Sequence, residues 1–191
     1  MSFEEYLKEN LQHEAQERGS AGTSQKQVAS LHNTLMKKGI YQPNQVVLDW
    51  GGGKYDLAKD KVEGEINGIN FFVYDKYNRN TEYNNNSLAS VKKAGGADII
   101  TIANVLNVIK EKDERVKMLK DAKKYLKKGG SVYIIVYNAT RTPKYQETDD
   151  WVGQPTKEDS WQNAQPLSFY VPEVEEAFQN VTTRGSVIVA N

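Results

Sequence analysis

Asp49, Gly51, Gly52 and Gly53 close the short apolar run Val46-Val47-Leu48. Consecutive glycines after a buried strand let the backbone approach a ligand closely, because no Cβ intervenes. A second acid, Asp75, closes the run Phe71-Phe72-Val73-Tyr74, 24 residues after Gly51. A carboxylate at such a strand end can accept both hydroxyl protons of a ribose. Asn104 follows a third apolar run, Ala97 to Ala103, and Asn107 lies three residues on. Asparagine at such points caps loop backbone. The other use of its carboxamide is to orient an amino or imide group of a substrate.

Three nucleotide-type ligands suit a glycine turn. A phosphate loop needs Gly-Lys-Ser/Thr after a four-residue spacer. Here the order is Gly51-Gly52-Gly53-Lys54-Tyr55-Asp56, with no Ser or Thr after the lysine. A dinucleotide turn needs Gly-x-Gly-x-x-Gly/Ala, and its third position is occupied by Asp56. Asp56 would stand in the first helical turn, where a pyrophosphate docks, with Asp49 on the other side. Two carboxylates repel a pyrophosphate. S-adenosylmethionine carries a sulfonium and an ammonium instead, so acids beside its loop are tolerated or useful.

The elements that position these residues follow from periodicity. The spacing predicts helices over 3–18 and 24–38, the second with Ser24 as N-cap, a Val28, Leu31, Leu35 stripe and Gly39 as stop. Strands are expected at 45–50, 69–75, 97–103, 131–137 and 186–190. Residues 78–86 read as an asparagine-rich loop and 87–94 as two helical turns. A helix is expected over 113–127, ended by Gly129-Gly130, and another over 172–178, with Pro172 near its start. Residues 138–168 hold three of the five prolines and read as a long loop or lid. Strands alternating with helices argue for an α/β fold, a Rossmann-like mainly parallel sheet with flanking helices. The expected organisation is one domain: N-terminal helices (1–40), cofactor-binding core (45–137), loop or lid (138–168), closing helix and strand (169–191).

Over roughly residues 24–138 the chain resembles the class I S-adenosylmethionine-dependent methyltransferases. The matching pieces are Val47-Leu48-Asp49-Trp50-Gly51-Gly52-Gly53, Val73-Tyr74-Asp75, Ala97-Asp98-Ile99-Ile100 and Asn104-Val105-Leu106-Asn107-Val108-Ile109. Arg115 to Tyr137, with Leu126-Lys127-Lys128-Gly129-Gly130 at its centre, also matches. The likeness looks strongest to small methyltransferase-like proteins of phages and mobile elements. It implies that Asp49, Gly51, Gly52 and Gly53 hold the methionine part of the cofactor, Asp75 the ribose, and that Asn104 lines the cofactor or acceptor side. Tyr55 stands where the family has a further glycine. The short stretch between Asp75 and Asp98 barely fits the family's third strand and its helix. A fold trimmed relative to the full seven strands is therefore expected.

The amino-methylating DNA enzymes place Asn/Asp-Pro-Pro-aromatic where this chain has Asn104-Val105-Leu106-Asn107, so their chemistry is not indicated. Trp161, Gln162 and Asn163 offer aromatics to stack on a ring and amides to read its edge, and with Asn107 form the expected substrate-binding set. No catalytic residue and no metal ligand is assigned. His32, on a helix with an apolar stripe, reads as structural or exposed rather than as a base.

The 191 residues carry 25 Lys+Arg, 25 Asp+Glu and no cysteine. That excludes a disulfide scaffold, a thiolate nucleophile and an acidic disordered chain. The lysines over 117–128 read as a solvated helix face, so no large nucleic-acid footprint is expected. No run is long enough to span a bilayer, and the acidic start Met-Ser-Phe-Glu-Glu is unlike a signal peptide. A cytoplasmic location is expected; the oligomeric state is left open. The combined reading is a methyltransferase using S-adenosylmethionine on a nucleobase or small nucleoside-like acceptor. The alternative is a non-catalytic binder of that cofactor, an interaction protein of a phage or mobile element.

Overall fold

The computed structural model describes residues 27–137, 146–148, 151–155, 161–163 and 165–191. The expected helix over 3–18 lies outside them. Helix α1 is Ser30–Lys37; Ala29 before it is extended, so the helix starts later than the spacing predicts, and Ser24 is also outside the described residues. Leu31 and Leu35 are buried as expected.

Strands β1 (Val46–Trp50), β2 (Asn70–Tyr74), β3 (Ala97–Ala103), β4 (Leu126–Ile135), β8 (Thr182–Arg184) and β9 (Val187–Ala190) form one sheet in the order β2-β1-β3-β4-β9-β8. The pairs β1–β2, β1–β3 and β3–β4 are parallel; β9 is antiparallel to both neighbours. All five residues of β1 are buried, the signature of a parallel strand covered on both faces. The β8–β9 hairpin ends the sheet on one side and β2 on the other. The sheet has six strands, and no strand lies beyond β2 among the described residues. The expected trimming is therefore at that edge.

Alternate side chains of β1 enter different layers. Val46, Leu48 and Trp50 pack with Val91, Leu119, Ala122, Val174 and Phe178. These belong to helices α3 (Thr81–Lys93), α4 (Lys112–Lys123) and α5 (Val171–Ala177), apart from Phe178 at the end of α5. Val47 packs with Phe71, Val73, Leu31 and Leu35 of α1, and Val62 of α2 (Leu57–Glu65). Asp49 therefore faces the α1 and α2 layer, not the wider core opposite.

Three expectations are corrected. Residues 81–86 are not loop but the first half of α3, because Asn80 caps the helix by accepting from the Tyr83 N–H at 2.8 Å. Helix α4 ends at Lys123 rather than 127, because the Tyr125 carbonyl accepts from the Ala97 N–H and Leu126 pairs with Ala97. Gly129 and Gly130 thus lie within β4, where its register with β3 slips. Between 146 and 163 the chain is not all loop. Strands β5 (Gln146–Thr148), β6 (Trp151–Pro155) and β7 (Trp161–Asn163) form a small antiparallel sheet. No helix among the described residues is long and apolar enough to cross a membrane.

Candidate functional site

The chain leaves β1 outward to β2, then returns to β3 on the other side of β1. The direction of winding thus reverses between β1 and β3. Open α/β sheets bind ligands outside the strand carboxyl ends at such a reversal. Gly51, Gly52, Gly53, Asp75 and Asn104 all stand there.

The glycine turn is tightly built. The Gly51 and Gly52 N–H groups both donate to the Tyr74 carbonyl, at 2.7 and 3.3 Å. Gly51 has φ +81° and Gly53 φ +80°, which L side chains rarely adopt. A Cβ on Gly51 would also fall on the Val105 side chain, just after β3. Glycine is required here by conformation and by space together. Asn104 has φ +61°, donates its N–H to the Ile135 carbonyl at 2.9 Å, and is exposed. Asparagine tolerates that left-handed geometry better than most residues.

Asp75 is buried and clamps the turn. Its Oδ2 accepts from the Gly53 N–H at 2.8 Å. Its Oδ1 accepts from the N–H groups of Tyr77 and Asn78 and from Asn78 Nδ2, at 3.0, 2.9 and 3.2 Å. One acceptor position on Oδ2 is therefore left in this arrangement. A ribose hydroxyl can take it, and a second hydroxyl at Oδ1 competes with the Asn78 amide.

Sequence reasoning missed the scaffold around this clamp. Asn84 is buried and bonds both backbone groups of Asp75, accepting from its N–H at 3.0 Å and donating to its carbonyl at 2.8 Å. Arg79 donates through Nε to the Gly53 carbonyl and through Nη2 to Asp56, each at 2.8 Å, and its guanidinium lies 4.4 Å from the Tyr83 ring centre. Tyr83 donates its hydroxyl to the same Asp56 oxygen at 3.0 Å. Burial, foremost, pushes the Tyr83 pKa up, so the hydroxyl stays a donor. Asp56 is thus neutralised, and its charge no longer argues against a pyrophosphate. The signal that could have found this scaffold was Asn80 as an N-cap, which turns an asparagine-rich stretch into a helix start.

Asp49 does not face solvent. It is buried beneath the turn, with Oδ1 accepting from Thr101 Oγ1 at 2.7 Å and Oδ2 3.3 Å from His32 Nε2. His32 is buried, not exposed. An acid inside a fully buried strand must find a donor, and that requirement was readable from the sequence.

The expected substrate residues divide. Asn107 sits in a 3-10 turn (Leu106–Val108) after β3, fully buried, and among the described residues neither Oδ1 nor Nδ2 has a hydrogen-bond partner. Strand β7 packs against that turn. Asn163 in β7 is buried; its Oδ1 accepts from the Gln165 N–H at 3.2 Å, while its Nδ2 has no partner among the described residues. The side chains of Trp161 and Gln162 lie outside the described residues. Tyr170 is fully buried, and its hydroxyl has no hydrogen-bond partner among the described residues. Its ring lies 5.7 Å from the Arg115 guanidinium. Arg115 makes a buried two-pronged pair with Glu173, at 2.7 and 2.6 Å, and donates to the Ile109 and Lys110 carbonyls. That pair fixes the chain just after the Asn107 turn.

No protein-family profile matches the chain, and no curated protein sequence matches it. Solved structures do. An S-adenosylmethionine-dependent methyltransferase from Clostridium acetobutylicum ATCC 824 superposes with TM-score 0.53 at 13% identity, over 83% of this chain and 88% of that one. A protein from Pyrococcus horikoshii OT3 gives 0.56 at 14%, over 84% and 88%. CalO1, a methyltransferase of calicheamicin biosynthesis in its S-adenosylhomocysteine-bound form, gives 0.50 at 16%, over 84% of this chain but only 52% of that one. At these identities the likeness is one of fold: a Rossmann-like methyltransferase architecture.

Proposed function

We propose that the protein binds S-adenosylmethionine across the Gly51–Gly53 turn and transfers its methyl group to a nucleobase or small nucleoside-like acceptor. The observation that carries this reading is the clamp of Asp75 on Gly53. It joins a glycine turn and a strand-end carboxylate at the winding reversal of a parallel sheet. The methyltransferase names among the fold neighbours support it. The third dinucleotide position being Asp56 rather than Gly or Ala disfavours the nicotinamide reading.

The residues present fit the cofactor. Asp75 Oδ2 offers an acceptor to a ribose hydroxyl, and the turn presents backbone without Cβ atoms. The cofactor supplies a sulfonium methyl already activated for in-line displacement. The chain's work is then positioning and exclusion of water. Asn104 edges the cofactor side. Asn107 and Asn163 hold buried amide atoms with no partner among the described residues, the chemistry that reads a polar ring edge. An unpartnered buried amide costs about 1–3 kcal/mol, which an acceptor's complementary edge would recover.

The test is methyl transfer from tritiated S-adenosylmethionine to a panel of nucleosides, nucleobases and short oligonucleotides. Label on a nucleoside-type acceptor, reduced at least tenfold by Asn107→Leu through KM, is the expected result. Label on none of them, with cofactor bound, would remove the acceptor class and leave the cofactor assignment standing.

A further inference from the structure

A polar chain runs beneath the glycine turn. Tyr41 Oη lies 2.8 Å from His32 Nδ1, His32 Nε2 lies 3.3 Å from Asp49 Oδ2, and Thr101 Oγ1 donates to Asp49 Oδ1 at 2.7 Å. All four residues are buried. The Phe71 ring packs edge-on against both the His32 and Tyr41 rings. Burial, foremost, pushes the Tyr41 pKa up, so its hydroxyl keeps a proton to donate to Nδ1. Nε2–H is then free to donate to Asp49. Among the described residues no Lys or Arg pairs with Asp49; Arg79, which reaches the turn at Gly53, pairs with Asp56. Asp49 is thus held by hydroxyl and imidazole donors rather than by a fixed guanidinium or ammonium.

The carboxylate also sits directly under the turn. A Cβ on Gly52 would lie 2.5 Å from Asp49 Oδ2 and 2.8 Å from Val73 Cγ1. Glycine at this point lets the turn rest on the carboxylate. A ligand lying on the turn is separated from it by one layer of backbone, with little water between to screen the charge.

We propose that Asp49 is a buried counter-charge that favours a sulfonium cofactor over its neutral thioether product, and that His32, oriented by Tyr41, is the positioning residue that holds it under Gly52. This rests on the cofactor reading above. Its consequence is directional. Methyl transfer removes the positive charge, so the attraction that seats the cofactor weakens in the product and favours release.

Calorimetric titration with S-adenosylmethionine and S-adenosylhomocysteine tests it on the wild type, Asp49→Asn, His32→Phe and His32→Gln. Asp49→Asn should weaken the sulfonium ligand about tenfold or more and the thioether less than about threefold. His32→Phe keeps the ring volume, removes the donor and should lower the same preference. His32→Gln restores a donor and should keep the preference within about threefold of wild type. If Asp49→Asn does not fold, the His32→Phe and His32→Gln pair carries the test by the same criterion. Equal weakening of both ligands, or an unchanged preference, overturns the counter-charge. Binding of neither ligand to the wild type removes the cofactor reading itself, a different failure from the other two.

Discussion

Asp75 divides its two oxygens among four donors, and that division is what ties the glycine turn to the second strand. Asp75→Asn would set an amide donor against those N–H groups. The expected result is a loss of about 1–3 kcal/mol in chemical denaturation and at least about tenfold weaker S-adenosylmethionine binding. Asn78→Ala should act the other way, freeing Oδ1 for a second hydroxyl and tightening the cofactor about two- to tenfold by titration. Gly51→Ala meets both a disallowed φ and the Val105 side chain. It should cost about 1–3 kcal/mol of stability, and shortening Val105 to Ala alongside it should recover only part. The acids and glycines of this site could be named from the sequence because they interrupt apolar strands. Their partners could not, because His32, Arg79, Asn84 and Thr101 reach them across 17 to 52 residues or from a helix whose start was read as loop.

At the scale of elements, β1, β2, β3 and the closing strand β9 fall close to the expected spans, since buried strands announce themselves as apolar runs, whereas β4 begins at Leu126, ahead of the expected 131. What the periodicity missed has local causes. Asn80 starts a helix by side-chain capping, a signal of one residue rather than of a period. Strands β5 to β7 are three to five residues long, too short to show alternation. Helix α5 is short as well, and the Arg115–Glu173 pair couples it to α4. Removing one partner should be severe: Arg115→Met should cost about 3–5 kcal/mol, because Glu173 is left buried and unpaired. The double variant Arg115→Met, Glu173→Met should recover most of that in thermal unfolding. A double variant no more stable than the single one would show that the carbonyl contacts of Arg115, not the ion pair, hold this corner.

At the largest scale, the described residues form a three-layer arrangement of sheet and helices whose two cores lie on opposite faces of β1, with the candidate site at one end of it. Each core holds a buried tyrosine, Tyr41 in one and Tyr170 in the other, and burial pushes both pKa values up. The sign is fixed by linkage: above about pH 10 the unfolded chain loses these protons while the folded one keeps them. Stability should therefore fall with rising pH from there, by about 1.4 kcal/mol per pH unit for each tyrosine. Tyr41→Phe and Tyr170→Phe should each flatten the alkaline limb of the unfolding curve. Cofactor binding at the Gly51–Gly53 turn belongs to neutral pH instead. It is tested most directly by amide hydrogen exchange of the purified protein with and without S-adenosylmethionine. Slowed exchange is expected at Gly51, Gly52, Gly53 and Asp75 to Asn78, and none of that protection in Asp75→Asn. Unchanged exchange at these amides under saturating cofactor would contradict it.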